Sequence, residues 1–385
     1  MLKYSLGLDI SCEKIDACIS AIDTNQNVVV KSTTHISNSL SGFKHLDDWI
    51  HKHHKDKSIP IVICMEATGI YYENCALYLF DKGYAVSVIL PNKAKKYIQA
   101  LGLKSKNDKI DAKGLSRMGA EQCLSVWQPL GKYFYELRLL TRQHQNLNEQ
   151  MTITRNRLHA IEHAMYRNKI VEKQLRKEID FLEKQVKETT KIIEKHIHGN
   201  TEIKQKVENI CTIKGVAILT VAILLAETNG FALFENARQL VSYAGLDVVE
   251  NQSGFHKGKT RISKKGNSRI RRALYMPAFV VITRNQIHFL NLYERTLDKH
   301  NVKMKSYVAV QKKLLTTIYA LWKKNEKFNP DHNILKQEQE LASRHPRENE
   351  SKKNSHVQDV TTQGKHPVND HSLLPLGKTK LKKYP

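Results

Sequence analysis

The chain has 385 residues, enough for two or three domains, and its 26% charged, 41% hydrophobic and 7% aromatic residues exclude a disordered or fibrous protein. The formal net charge of +24 points to a polyanionic partner, because so large an excess repels itself when unpartnered. No apolar run reaches the length of a membrane-spanning helix, the opening residues predict no signal peptide, and six scattered cysteines without a C-x-x-C pair indicate neither a zinc site nor a disulfide framework. From the first residues, Tyr4–Ile10 alternates, with Leu6, Leu8 and Ile10 on one face and Gly7 and Asp9 on the other. Ile15–Ala21 and Asn27–Thr33 follow at hairpin spacings, which predicts an antiparallel three-strand opening. Phe43–His54 reads as a helix, Pro60–Glu66 as a strand buried on both faces, Tyr71–Lys82 as a helix, Ala85–Leu90 as a buried strand and Lys93–Leu101 as a short helix.

The next stretch, 104–115, places Asp108 and Asp111 three residues apart at a predicted helix start, so both can point at one spot. A capped helix with no chemistry explains that pair alone. Two further acids, Asp9 and Glu66, stand at the ends of otherwise apolar strands, where an unpaired carboxylate is costly to bury. Carboxylates gathered in one place need cations, and Mg²⁺ or Mn²⁺ between acids and a phosphodiester in a basic protein meets that need.

Beyond Tyr133 the pattern turns to heptads. Leu137, Leu140, His144, Leu147, Met151, Thr154, Leu158, Ile161 and Met165 keep a three-four spacing, and after a break near 167–169 Leu175, Ile179, Leu182, Val186, Thr189 and Ile193 do the same. Two long helices result, either folded back on each other or paired between subunits. Glu208–Glu227 predicts two short apolar helices around Lys214-Gly215, either a core hairpin or a phosphate-receiving helix-hairpin-helix. Asn236–Gly245 is a further helix. Between Glu250 and Glu294 there is no acid, while Lys257, Lys259, Arg261, Lys264, Lys265, Arg269, Arg271 and Arg272 crowd together. A merely solvated surface would mix signs, so this reads as a phosphate-binding loop running into a helix over Asn267–Val281. The Gly254…Gly258-Lys259-Thr260 run is one residue short of a P-loop and follows no apolar strand. Ser306–Lys323 is the last predicted helix, and from about Asn329 the chain reads as a disordered basic tail.

Strand one with Gly7-Leu8-Asp9 and the later Asp16, then Met65-Glu66-Ala67-Thr68-Gly69, then Lys106-Asn107-Asp108-Lys109-Ile110-Asp111-Ala112, resembles the RuvC-like, RNase H-type domain of the DEDD transposases of bacterial insertion sequences, relatives of the Piv-type invertases. The segment from Ser253-Gly254 through Ser263-Lys264-Lys265-Gly266-Asn267 to Arg271-Arg272-Ala273-Leu274 resembles that family's C-terminal domain. The resemblance covers residues 6–322. It implies an α/β plus α fold: an RNase H-like mixed-sheet domain over 1–130, coiled-coil helices over 131–200, a mainly helical transposase domain over 201–325 and a tail over 326–385. It implies divalent metal on Asp9, Glu66, Asp108 and Asp111, and Ser253 as the nucleophile, with Ser263 and Ser268 as other candidates in the same loop. DNA as substrate, a structured guide RNA, a dimer or tetramer joined through the coiled coil, and a nucleoid-associated place in the bacterial cytoplasm are also implied by resemblance alone. Two rivals stay open: a structure-specific nuclease that uses water with Ser253 structural, and a non-enzymatic nucleic-acid-binding scaffold.

Overall fold

In the computed structural model the described residues are 1–102, 107–250, 252–254, 256–258 and 260–331, with backbone only at His256 and Lys257. Lys104, Ser105, Lys106, Lys259 and nearly all of the tail lie outside them. Two compact units divide the chain. One joins 1–204 to 217–274, and the other joins 205–216 to the segment from Tyr275 onward.

The first unit opens with β1 (Lys3–Ile10), β2 (Lys14–Ile22), β3 (Val28–Ser37), α1 (Leu40–His53), β4 (Ile61–Glu66), α2 (Glu73–Asp81), β5 (Ala85–Ile89), α3 (Pro91–Ala100) and α4 (Asp108–Glu121). The five strands form one sheet in the order β3-β2-β1-β4-β5. The first three are antiparallel, and β4 and β5 run parallel to β1. This is the mixed sheet that an RNase H-type reading requires.

Alternation in β1 sorts its residues between two layers. Tyr4, Leu6, Leu8 and Ile10 join a core with Phe43, Leu46 and Ile50 of α1 and Cys75, Ala76 and Leu79 of α2. Each Leu, Ile or Phe among them contributes roughly 1.5–3 kcal/mol on burial. The opposite parity, Ser5, Gly7 and Asp9, meets α4. A Cβ at Gly7 would run into the backbone of α4 at Ala112 and Ser116, so glycine is what lets the helix lie directly on the strand. Ser116 then donates to the Ser5 carbonyl at 2.9 Å and bonds the Ser20 hydroxyl at 2.8 Å, and Gly119 passes closely over Ser5 and Cys64. Behind it Leu115 and Met118 pack with Cys64, Ile89 and Ala94 in a second small core.

The predicted heptads form α5 (Lys132–Glu162) and α6 (Lys169–His198), which pack on each other within the chain. Leu137, Leu147, Thr154 and Leu158 are buried on α5, and Leu182, Thr189, Ile193 and Ile197 on α6. Asn168 caps the second helix, accepting from the amides of Ile170 and Val171. The helix α7 (Thr201–Cys211) follows, then α8 (Ile218–Thr228) and α9 (Ala237–Tyr243). Two nested ribbons come next, β6 (Val248–Val249) with β9 (Arg261–Ile262) and β7 (Gln252–Ser253) with β8 (His256–Lys257).

The single helix predicted over Asn267–Val281 is corrected to two, α10 (Ser268–Ala273) and α11 (Tyr275–Thr283). Pro277 has no amide hydrogen for the carbonyl of Ala273, so the hydrogen-bond ladder stops there. In the second unit α12 (Ile287–His300), which the sequence pattern did not indicate, packs on α13 (Lys303–Lys324), as does α11. Phe289, Val310, Leu314, Ile318 and Trp322 are buried in this unit.

Candidate active site

Parity and register bring the acids together. Asp9 sits on the α4 side of β1 and pairs across the hairpin with Asp16 of β2. Leu8 pairs with Met65, so Glu66 is the next residue alongside Asp9 on the parallel neighbour β4. Above that end of the sheet stands the first turn of α4. Asn107 caps it, accepting from the Ile110 amide at 2.9 Å, and Asp108 and Asp111 occupy the turn. The helix N-terminus there favours negative charge.

The consequence is visible at Asp9. Its carboxyl is pushed up to about 6, first by burial and then by the charges of Asp111, Asp108, Glu66 and Asp16. Asp9 thus feels the other three predicted acids. An open cavity of about 310 Å³ is lined by Asp9, Asp16 and Asp108, with Ser11, Cys12, Thr68 and Tyr71. Glu66 holds a long hydrogen bond from the Thr68 hydroxyl at 3.4 Å.

One cation already stands among these oxygens. The Lys14 ammonium lies 2.6 Å from Asp108 and 3.3 Å from Asp16, and these two carboxylates hold it above the usual lysine range. Neither Lys14 nor Asp16 was singled out as a site residue from the sequence. The signal was the hairpin register, since a two-residue turn at 12–13, closed by the Ser11 amide donating to the Lys14 carbonyl, obliges residue 16 to face residue 9. Among the described residues no group of three or more His, Cys, Asp or Glu side chains has the spacing of a formed metal site. The donors are carboxylate oxygens, which suit a hard divalent cation.

Ser253 lies elsewhere. It is exposed on β7, opposite His256, and among the described residues no hydrogen bond or ion pair joins it to any of the four acids. Ser263 is held by Asp247, donating to its carboxylate at 2.5 Å, and Ser268 opens α10. The basic residues divide into two sets. Arg261, Lys264 and Lys265 are exposed and carry no ion pair among the described residues. Arg271 instead donates to the carbonyls of Ala244 and Gly266 at 2.9 and 3.1 Å, where Gly245, at φ +67°, and Gly266 approach too closely for side chains. Arg272 pairs with Glu149 of α5, and Arg269 lies 4.0 Å from Glu227. The side chain of Lys257 and all of Lys259 are outside the described residues.

Residues 6–164 match a DEDD transposase family of IS110 type, and residues 207–294 match the transposase IS116/IS110/IS902 family. The pilin gene-inverting protein of Moraxella bovis is 30% identical over 331 residues, spanning 86% of this chain and 98% of its own. That of Moraxella lacunata is likewise 30% identical over 331 residues, with the same coverage. A solved structure of T. thermophilus RuvC in complex with a Holliday junction substrate aligns at 12% identity over 31% of this chain and 93% of that one, with a TM-score of 0.24, too low to bear on the site. The full-length match to the inverting proteins, together with the two family matches, places the chain in the IS116/IS110/IS902 family of transposases, as a DNA transposase and recombinase.

Proposed function

We propose that Asp9, Glu66, Asp108 and Asp111 hold divalent metal, Mg²⁺ or Mn²⁺, and that Ser253 attacks the scissile phosphodiester. The observation that carries this is the gathering of the four carboxylates around one end of β1, β4 and α4, with Asp9 raised by its neighbours. Bound there, the metal supplies Lewis-acid stabilisation of charge on the phosphate oxygens. The residues of the chain do the rest. Asp9 and Glu66 are fixed by the sheet, and Asp108, paired with Lys14, would complete with Asp111 the set that holds the ion. The Ser253 Oγ forms a bond to phosphorus as the bond from phosphorus to the leaving sugar oxygen breaks. The serine proton passes to solvent or a base, and the released sugar oxygen takes one up. The serine–DNA ester keeps the phosphodiester energy, so the reverse attack by another strand's hydroxyl rejoins DNA without a cofactor.

In this reading residues 1–130 supply the acids and residues 201–325 the serine. Lys257, Lys259, Arg261, Lys264, Lys265, Arg269, Arg271 and Arg272 grip phosphates, the three exposed residues Arg261, Lys264 and Lys265 foremost. A structured RNA from the element supplies sequence specificity by pairing, as the family resemblance implies. Leu139, Ile153, Phe181 and Ile192 are exposed on α5 and α6, which fits association of copies through this hairpin into a dimer or tetramer. No helix among the described residues is long and apolar enough to cross a membrane, consistent with work at the bacterial nucleoid.

Replacing Ser253 with alanine tests the nucleophile. The variant should form no covalent protein–DNA adduct on denaturing gels and should bind DNA as before; adducts that persist overturn the assignment. The exposure of Ser253 and its lack of any tie to the acids favour a second reading, in which water attacks. Strand cleavage by Ser253→Ala at the parental rate would select it.

A further inference from the structure

Glu227, on α8, is a carboxylate that the chemistry above does not use, and its side chain is 1% exposed. A buried carboxylate is costly unless paired and hydrogen-bonded. Here it is fully engaged. Arg142 of α5 grips it with two prongs, Nε to Oε1 at 2.9 Å and Nη2 to Oε2 at 3.1 Å. Asn267 donates from Nδ2 to Oε2 at 2.7 Å, and the Tyr243 hydroxyl donates to the Glu227 carbonyl at 3.1 Å. Burial alone would raise the carboxyl, but the bonds from Arg142 and Asn267 outweigh it and hold Glu227 below the usual range, ionised.

The partners are what give the carboxylate a role. Asn267 is the N-cap of α10, its Oδ1 accepting from the amides of Arg269 and Ile270 at 2.9 and 3.3 Å. Its two amide functions therefore point in opposite directions, one fixing the helix start and one bound to Glu227. The next basic residue, Arg269, has its Nε buried without a hydrogen-bond partner, 4.0 Å from Glu227 Oε1, while 38% of its side chain is exposed. Arg269 thus runs from the carboxylate to the surface. Its Nε faces a charge already shared by two other donors, so the guanidinium is oriented by Glu227 without being consumed by it. A buried ion pair is seldom the most stable filling of such a space, which leaves geometric specificity as its use.

We propose that Glu227 is a positioning residue for nucleic-acid binding: through Asn267 and Arg142 it locks the first turn of α10 to the helical hairpin and aims Arg269 at a backbone phosphate. The inference rests on the reading that α10 contacts phosphates. If it holds, Glu227→Gln, which keeps the shape and removes the charge, loses the same phosphate contact as Arg269→Ala although residue 227 touches no ligand.

The experiment is the salt dependence of affinity for a fluorescein-labelled DNA duplex, read by anisotropy for the full-length parent, Glu227→Gln, Arg269→Ala and the double variant. The slope of log K against log salt counts neutralised phosphates, which a merely structural role would not move well below the melting temperature. Expected is a slope shallower by about 1 for each single variant and no further change in the double. A shallower slope for Arg269→Ala with a parental slope for Glu227→Gln overturns the positioning role and leaves the phosphate reading of α10 standing. A parental slope for Arg269→Ala overturns that reading, and the positioning role with it. Should Glu227→Gln not fold at the assay temperature, Arg142→Lys replaces it, keeping the charge while losing the two-pronged grip; the same slope change supports the proposal and a parental slope overturns it.

Discussion

The acids and the serine are held in opposite ways. Asp9, Glu66 and Asp111 stand on a sheet and a helix whose backbones touch, and only Asp108 and its Lys14 partner lie in the open. Ser253 stands on the two-residue strand β7, exposed, and among the described residues no side-chain bond holds it. Charged groups that repel one another need a frame that forces them together, and Lys14, which reaches only Asp108 and Asp16, offsets that repulsion only in part. A lone hydroxyl has no such conflict. It can wait on a loop and be placed when nucleic acid arrives, as functional loops on rigid scaffolds commonly are.

The largest effect separating the two regions is expected at Asp9. Asp9→Asn should lower metal-dependent strand cleavage about 100-fold or more while leaving duplex affinity close to parental, measured on end-labelled element DNA. Cleavage at parental rate would mean that the frame holds nothing catalytic.

Gly7→Ala attacks the frame itself. The added methyl has no room below α4, so a loss of about 1–3 kcal/mol is expected in denaturant unfolding, together with slower cleavage. A smaller effect is predicted at Ser263, the one loop serine with a fixed partner. Ser263→Ala breaks its bond to Asp247 and should cost about 1 kcal/mol without affecting adduct formation.

A pH dependence also separates the regions, and its sign is definite. Asp9 binds its proton more tightly when folded, at about 6 against an ordinary 3.8. Its contribution to stability is therefore complete below the unfolded value and lost as pH rises through about 6. Melting temperatures of the metal-free parent should fall relative to Asp9→Asn across that window. Millimolar Mg²⁺ at pH 7 should raise the parental melting temperature by a few degrees and leave Asp9→Asn nearly unchanged.

Much of the first region was legible in the sequence because a strand's period of two assigns faces directly. Leu6, Leu8 and Ile10 opposite Gly7 and Asp9 already implied a buried side and a chemical side. What α4 would do with Gly7 was not legible, since the contact joins residues more than 100 positions apart. Separations of 94 and 85 positions likewise hid the Lys14–Asp108 bridge and the Glu227–Arg142 grip. The heptads in α5 and α6 read correctly as long helices, but periodicity cannot say which helix is the partner. The helix over 287–300 went unread although Ile287, Leu290, Tyr293 and Leu297 recur at helical spacing, so its signal was present and missed. Pro277 was the missed signal in the helix that splits.

The glycine beneath α4 has a wider consequence. It makes the separation between strand and helix a matter of main chain against main chain, with no side-chain volume in between. Interior residues elsewhere can then be exchanged without resetting the distance from Asp9 to Asp111. Chemistry anchored in this way tolerates wide divergence of sequence, but it leaves no latitude at the single position where the two backbones meet.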